Sequence, residues 1–284
     1  MFEITESAWK RLTGLVPFPQ PKLIRTRYPV VLMHGFGLFA SLRRGGHLHQ
    51  EAMSLRTNGV LAYAPNVAAY NTVAARSEMW RRRLEHVLAE TGADRLNLVA
   101  QSMGGLDARY LISQLGMHEV VAALVTVSTP HRGSAVAEIV LEQPEWARRW
   151  TADVLNRIGA SSLEDASADF LRSIVELTPS AVEESFNPAV PDHPAVRYYS
   201  YAGRAGKGTD VSINPFLRVP CSMLYAREGV NDGFVSVESA RWGTFLGAVD
   251  ADHAQQVGLS MGRASFDAHA FYCDVVGRLA ADGF

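Results

Sequence analysis

Short runs of apolar residues alternate along this chain with longer segments in which apolar positions recur every three to four residues. The runs predict buried strands, and the periodic segments predict helices. The predicted strands are Arg27–Met33, Gly59–Ala64, Arg95–Gln101, Val120–Ser128, Val196–Tyr201 and Gly243–Val249. The clearest helices are Val73–Thr91 and a last amphipathic helix from about Ser265 to Ala281. This alternation indicates an α/β fold with a doubly wound, mostly parallel sheet and helices on both faces.

The alternation stops between residues 133 and 194. This stretch contains three helical patterns and no convincing strand: Ala135–Leu141, Trp146–Ile158 and Ala168–Leu177. We therefore predict one domain over residues 1–284, with a helical insertion at about 133–194 above the carboxyl edge of the sheet. The insertion is either a lid that moves or a fixed helical subdomain, and the sequence does not choose between them.

Composition narrows the class of protein. Of 284 residues, 48% are hydrophobic and 20% are charged, which excludes a disordered or coiled-coil chain. The net charge of −2 provides no basic field, so we expect no nucleic-acid partner.

The longest apolar stretch, Val120–Val127, is too short for a transmembrane segment. The first residues do not resemble a signal peptide, so we expect a cytoplasmic protein, or a secreted one whose export segment is missing from this sequence. The chain has two cysteines, Cys221 and Cys273, which are too few for a disulfide framework, so we expect two thiols.

One sequence motif is typical of a catalytic serine. Asn97–Gly105 reads as a strand that leads into Ser102 through a sharp turn, with Ala100 two residues before the serine and Gly104 two residues after it. These small residues are what a nucleophile elbow requires, because the turn leaves no room for larger side chains. The following helix would place its first backbone N–H groups beside the serine, where they favour developing negative charge.

A serine nucleophile requires a base and an acid, and in this fold they follow the serine in the order acid, then histidine. Among nine histidines, His253 lies in a loop directly after the last predicted strand, where such a base belongs. Asp232 lies in an Asn-Asp-Gly turn that would present its carboxylate at a loop tip. Asp210, Asp250 and Asp252 are weaker candidates for the acid.

The segment His34-Gly35-Phe36-Gly37 follows the first strand and predicts an oxyanion hole. Its glycines would let the backbone N–H of Phe36 turn into the site, and the N–H of Met103 would supply the second donor. His34 itself fits a structural support for this loop better than a general base.

These motifs resemble the bacterial triacylglycerol lipases of the Pseudomonas and Burkholderia type. The resemblance rests on the segments around His34 and Ser102, on Ser128-Thr129-Pro130-His131-Arg132-Gly133-Ser134, and on Asn231-Asp232-Gly233-Phe234-Val235. It implies the α/β-hydrolase fold with a helical lid and ester hydrolysis at a lipid–water interface. It also places the nucleophile, acid and base of that family on Ser102, Asp232 and His253.

The chain departs from that family at several positions. Gln101 replaces the usual histidine before the nucleophile, Ala100 replaces the commoner glycine, and Glu238 stands where the family has a disulfide cysteine. Gln255 and Asn214 stand near positions where the family has calcium-binding aspartates.

We therefore expect no required cofactor and no metal at the site. A structural calcium held by oxygens of Asp252, Gln255 and Gln256 stays open as an alternative. His47-Leu48-His49 has the spacing of a zinc half-site, but one such pair in a glycine-rich loop is more often an ordinary polar segment.

The sequence thus predicts a serine carboxylic-ester hydrolase, a lipase that cleaves acylglycerols through an acyl-enzyme. The substrate would be a lipid or ester, met at a lipid–water interface. Candidates to line a trench for the acyl chain are Leu38, Phe39, Val136, Ile139 and Leu141, each of which could equally be an ordinary core residue. One alternative is an esterase or polyesterase for short-chain or polymeric esters; another is a catalytically silent lipid-binding relative. The oligomeric state stays open.

Overall fold

A six-stranded parallel sheet forms the centre of the protein. The computed structural model describes residues 9–11, 13–15, 23–36, 46–145, 149, 169–261 and 266–284. The strands, in the order β2-β1-β3-β4-β5-β6 across the sheet, are β1 (Val30–Met33), β2 (Ala62–Tyr63), β3 (Leu96–Gln101), β4 (Val121–Val127), β5 (Arg197–Gly203) and β6 (Thr244–Val249). All five neighbouring strand pairs are parallel. The predicted α/β class is confirmed.

Helices cover both faces of this sheet. They are α1 (His49–Thr57), α2 (Val73–Thr91), α3 (Gly104–Gln114), α4 (Ala135–Leu141), α5 (Phe170–Glu176), α6 (Arg218–Glu228) and α7 (Ala268–Ala281). Helices α1 and α7 share one apolar core with one face of the sheet, while α2 and α3 share a second core with the other face. In β1, Val30 and Leu32 belong to the first core, and Val31 and Met33 belong to the second. This alternation is why the strand is apolar throughout.

Capping interactions at both ends explain the bounds of α2. The side chain of Thr72 accepts a hydrogen bond from the Ala75 N–H, and Gly92 takes a left-handed conformation (φ 65°) after the last turn. On the exposed face of the helix the charged side chains form ion pairs with one another, since Arg81 pairs with both Glu78 and Glu85.

Part of the predicted insertion is described. Helix α4 begins after Ser134, whose hydroxyl accepts a hydrogen bond from the Val136 N–H. Helix α5 is followed by a π-helical turn, Ala181–Phe186. The predicted helix Trp146–Ile158 lies, except for Arg149, outside the described residues, and so does Gly37. The division into sheet domain and lid stays a prediction.

The structure also bears on the two cysteines and on membrane-spanning segments. Cys221 and Cys273 are both free thiols. Among the helices that the structure describes, none combines the length and the apolar composition that crossing a bilayer requires.

Candidate active site

The predicted site residues converge at one edge of the sheet. Strand β1 lies between β2 and β3, so the direction of strand order reverses there, and ligands of open α/β sheets bind in the crevice at such a point. Phe36 follows the end of β1, and Ser102 follows the end of β3 directly. Asp232 lies in the connection after β5, and His253 follows β6.

The turn that holds Ser102 is tight and strained. Ser102 has a φ of 57°, a left-handed conformation that non-glycine residues seldom adopt, and its N–H donates to the Val127 carbonyl at 2.9 Å. A Cβ on Gly35 would lie 2.6 Å from the Ser102 Cβ, and one on Gly104 would lie 2.8 Å from the His34 carbonyl oxygen. Only glycine therefore allows the loop after β1 and the turn after β3 to approach this closely.

Three side chains form a continuous hydrogen-bonded relay. The hydroxyl oxygen of Ser102 lies 2.9 Å from Nε2 of His253, and Nδ1 of His253 lies 2.8 Å from Oδ2 of Asp232. The three side chains are largely or wholly buried. The structure thus brings together the three residues that the sequence singled out. Asp250, a weaker candidate for the acid, pairs with Arg204 instead.

The carboxylate of Asp232 is held in its charged form. Its Oδ1 accepts from the N–H groups of Phe234 (3.0 Å) and Val235 (2.8 Å), and its Oδ2 accepts from Nε2 of Gln256 (3.0 Å) as well as from His253. Burial alone would raise the pKa of Asp232, but the charge and hydrogen bond of His253, together with the two backbone donors, lower this pKa below its usual value. A carboxylate that stays ionised can stabilise a protonated imidazole.

The two predicted oxyanion donors lie on adjoining segments. Met103 is the N-cap residue of α3, and the first N–H groups of a helix have no partner within the helix. Phe36 is half-buried on the neighbouring loop, where its ring packs against those of Tyr70 and Phe170. A Cβ on Gly35 would lie 2.8 Å from the Met103 nitrogen, which shows how closely the loop and the helix start meet.

A buried arginine fixes this loop, and the sequence analysis missed it. One guanidinium nitrogen of Arg76 donates to the carbonyls of His34 (2.9 Å) and Gly35 (3.1 Å), and the same group pairs with Asp107 of α3 at 2.8 Å. The signal was present, because Arg76 falls on the otherwise apolar face of α2. His34 has the supporting role expected of it: its Nδ1 donates to the Gly35 carbonyl, and its Nε2 accepts from the Val67 N–H.

An apolar cavity of about 240 Å³ opens beside Ser102. Helix α4 contributes Val136, Ala137 and Val140, and further apolar walls come from Phe36, Phe170, Ile174, Leu177 and Val257. Of the candidates for the trench, Val136 lines the cavity, whereas Ile139 and Leu141 do not and pack in the apolar core, the alternative that the sequence left open. The helix turns these two away and presents Val140 instead. Leu38 and Phe39 lie outside the described residues.

The candidate calcium ligands do not suit a cation. The side-chain N–H₂ of Asn214 donates to Oδ1 of Asp252 (3.1 Å) and to the Leu259 carbonyl (3.0 Å), so an amide stands between two oxygens that a metal would bridge. Backbone N–H groups of Ala254, Gln255 and Asn214 also point at the Asp252 carboxylate. Calcium requires a shell of oxygen ligands free of such donors.

The other candidate metal ligands have different roles. Gln256 presents its nitrogen to Asp232, and the ring of His47 stacks on His34 at 4.6 Å. Across the described ranges, no three His, Cys, Asp or Glu side chains are grouped for metal binding.

Part of the chain is similar in sequence to bacterial triacylglycerol lipases. Over 116 residues the chain is 37% identical to a triacylglycerol lipase of Vibrio cholerae, a stretch that covers 41% of this chain and 36% of that protein. Over 121 residues it is 34% identical to a triacylglycerol lipase of Burkholderia plantarii, covering 40% of this chain and 33% of that protein. The matched part thus spans about a third of the length of either relative.

Similarity in structure extends further than similarity in sequence. A metagenomic carboxyl esterase superposes with a TM-score of 0.74 at 18% identity, over 94% of this chain and 80% of that one. The Staphylococcus hyicus lipase superposes with a TM-score of 0.68 at 16% identity, over 93% of this chain and 99% of that one. At such identities the likeness concerns the fold, and the predicted α/β-hydrolase fold is confirmed.

The resemblance to bacterial triacylglycerol lipases is also confirmed. The segment that matches a defined family runs over residues 29–176 and includes the loop after β1, the turn at Ser102 and helices α4 and α5. Because this match covers more than half of the chain, the chain belongs to the palmitoyl protein thioesterase family.

Proposed function

We propose that the protein is a serine hydrolase of carboxylic esters that works through an acyl-enzyme. The observation that carries this proposal is the relay from Ser102 through His253 to Asp232, with separations of 2.9 and 2.8 Å. A serine hydroxyl is a weak nucleophile until a base removes its proton, and this relay supplies the base and an anion that orients it.

Each polar group has a role in the proposed acylation. The Ser102 oxygen attacks the ester carbonyl carbon while Nε2 of His253 takes the hydroxyl proton, and Asp232 stabilises the imidazolium that forms. The N–H groups of Phe36 and Met103 donate to the oxyanion, and each donor of this kind lowers the barrier by roughly 3–4 kcal/mol. The imidazolium then gives its proton to the departing alcohol, which leaves the acyl group on Ser102.

The cavity favours an apolar acyl group. Its walls are mostly aliphatic and aromatic, and burial of each methylene of an acyl chain is worth about 0.8 kcal/mol. We therefore propose acylglycerols and similar lipid esters as substrates, met at a lipid–water interface; the names of the Vibrio and Burkholderia relatives support this class. Short-chain or polymeric esters are the competing class, and a series of p-nitrophenyl esters from acetate to palmitate separates the two.

A thioester is the second candidate substrate. The family match favours it, since the matching family is described as palmitoyl protein thioesterase. The same relay and oxyanion donors serve a thioester carbonyl, because the attacked carbon and the developing oxyanion are the same. Paired oxygen and sulfur esters of one acyl chain give the ratio of kcat/KM values that decides between the classes.

The direct test of the proposal removes the nucleophile. Ser102→Ala is expected to abolish ester hydrolysis and labelling by a fluorophosphonate probe, while the protein unfolds at the wild-type temperature. Ser113→Ala, on the far part of α3, is the matched control and keeps both activities. If the wild-type protein takes no label and hydrolyses no ester of the series, the proposal is wrong, and a silent lipid-binding relative is the better description.

A further inference from the structure

Gln101 contacts the same imidazole nitrogen as the nucleophile. It ends strand β3, directly before Ser102, and its buried side chain lines the apolar cavity. Its amide nitrogen lies 3.1 Å from Nε2 of His253, the atom that the Ser102 hydroxyl approaches at 2.9 Å. The residue is one of the departures noted in the sequence, and it occupies the reaction centre.

Two hydrogen-bond donors, the Ser102 hydroxyl and the Gln101 amide, therefore approach the one lone pair of Nε2 of His253. Nδ1 of His253 faces the Asp232 carboxylate and carries the proton of the neutral ring, so Nε2 is the acceptor. In the resting state both the Ser102 hydroxyl and the Gln101 amide donate to this nitrogen. Once Ser102 is acylated its oxygen has no proton to donate, so Nε2 can accept a hydrogen bond from a water molecule, and the Gln101 amide lies beside that position.

The other polar groups beside the cavity are engaged elsewhere. The hydroxyl of Ser134 donates to the Phe234 carbonyl and also accepts from the Val136 N–H. The ring of His47 stacks on that of His34. Of the described polar side chains that line the cavity, Gln101 is the one outside the relay that reaches the base.

We propose that Gln101 is a catalytic residue of the second half-reaction, in which its amide binds the water that attacks the acyl-enzyme. This inference rests on the proposed hydrolase function. A primary amide offers two donors and one acceptor in one plane, so it can hold a water oxygen or accept from a water proton beside Nε2. The other polar side chains that line the cavity outside the relay, Ser134 and His47, have the partners given above.

The water oxygen attacks the acyl carbonyl carbon while Nε2 of His253 takes one water proton. The bond between that carbon and the Ser102 oxygen then breaks, and the serine oxygen recovers a proton from Nε2. The carboxylic acid leaves, and the resting relay is restored. Acylation uses no water, so loss of a residue that holds water slows the second half-reaction much more than the first.

Rapid mixing with a p-nitrophenyl ester separates the two half-reactions, since nitrophenolate release in the first turnover reports acylation and the later steady rate reports deacylation. Gln101→Met keeps the volume of the side chain and removes the amide. Gln101→Asn keeps the amide and withdraws it from Nε2 by one methylene group. For both variants we expect deacylation to slow by about tenfold, the effect of one lost hydrogen bond, and a burst of nearly one product per enzyme to appear.

The rate of labelling by a fluorophosphonate reports acylation and folding together. We expect it to stay within about twofold of the wild type in both variants. Gln143→Met, at the exposed end of α4, controls for the exchange itself.

Equal slowing of labelling and deacylation would overturn the proposal, and so would an unchanged deacylation rate. Failure of the wild-type protein to label at all would instead contradict the hydrolase function, so the two failures are distinguishable. A misfolded Gln101→Met leaves Gln101→Asn to give the answer.

Discussion

Gln256 is a fully buried amide of which only one end has a partner. Its nitrogen donates to Oδ2 of Asp232 at 3.0 Å, whereas its side-chain oxygen has no hydrogen-bond partner in the described part of the chain. An unpaired buried acceptor costs about 1–3 kcal/mol. Gly203 makes room for the side chain, since a Cβ there would collide with the amide nitrogen. This arrangement costs stability and serves the acid of the relay.

Gln256→Met separates these two effects. Loss of the donor to a charged carboxylate is expected to lower kcat by roughly tenfold or more, with KM unchanged because Gln256 does not line the cavity. Loss of the unpaired oxygen offsets the stability that is lost with the hydrogen bond to Asp232, so we expect the unfolding temperature to change little. Steady-state kinetics and thermal unfolding measure both. A purely structural glutamine would show the opposite result, a lower unfolding temperature with an unchanged kcat.

At the scale of elements, the loop that carries His253 is held by an amide. Asn214, before a 3₁₀ turn at Pro215–Leu217, bonds to Asp252 and to the Leu259 carbonyl, and its oxygen accepts from the Met261 N–H at 2.7 Å. Burial raises the pKa of Asp252, in spite of the hydrogen bonds that this carboxyl accepts. Three segments of the chain thus meet at one side chain, which performs the bridging that a cation performs elsewhere.

Asn214→Asp replaces those donors with a second carboxylate beside Asp252. We expect it to lower the free energy of unfolding by about 2–4 kcal/mol, through lost hydrogen bonds and repulsion between like charges. Millimolar Ca²⁺ is expected to restore part of this loss, while the wild type responds to neither Ca²⁺ nor a chelator. Thermal unfolding with CaCl₂ or EDTA measures this, with Asn58→Asp as the remote control. Stabilisation of the wild type by Ca²⁺ would contradict the assignment.

Two helices with local caps were predicted to the residue, whereas the bounds of strands, which pairing sets, were predicted to within one or two residues for β3 to β6 and less closely for β1 and β2. The predicted bounds of α2 and α4 match the structure, because Thr72 and Ser134 cap their starts locally. Strand β2 was predicted over Gly59–Ala64 but pairs only at Ala62–Tyr63, since a strand's length depends on the register of its neighbour.

The same distinction applies to the site. Ser102 is recognisable from a local pattern, because a sharp turn dictates which residues flank it. Gln256 has no such pattern, and the apolar face of α2 marks Arg76 as buried without specifying its partners. Both residues act through contacts with His34, Gly35 and Asp232, which the sequence does not specify. Gln101 was noted as a departure, but its contact with a histidine 152 residues away exists only in the folded chain.

At the scale of the whole molecule, two buried histidines link stability to pH. Nε2 of His34 accepts from the Val67 N–H, and Nδ1 of His131 faces the Arg109 guanidinium at 3.4 Å, so neither ring has room for a second proton. Burial, together with the neighbouring charges of His47 and Arg76, lowers the pKa of His34 well below 6.5. Burial and the charges of Arg109 and Arg132 lower the pKa of His131 in the same way. Both rings are neutral in the folded protein.

The unfolded chain therefore binds more protons than the folded one once the pH falls below about 6.5, and stability decreases from there downward. Each buried histidine contributes up to about 1.4 kcal/mol per pH unit. Burial raises the pKa of Asp107 to about 6, so this carboxyl binds a proton in the folded protein and opposes part of that sum. We therefore expect a net slope of about 1–2 kcal/mol per unit between pH 6 and 5. His131→Gln should reduce that slope by about 1 kcal/mol per unit in urea unfolding, whereas His86→Gln, on the exposed face of α2, should leave it unchanged. A slope that His131→Gln does not change would show that this ring is protonated in the folded protein, against the contacts that Arg109 and Thr126 make with it.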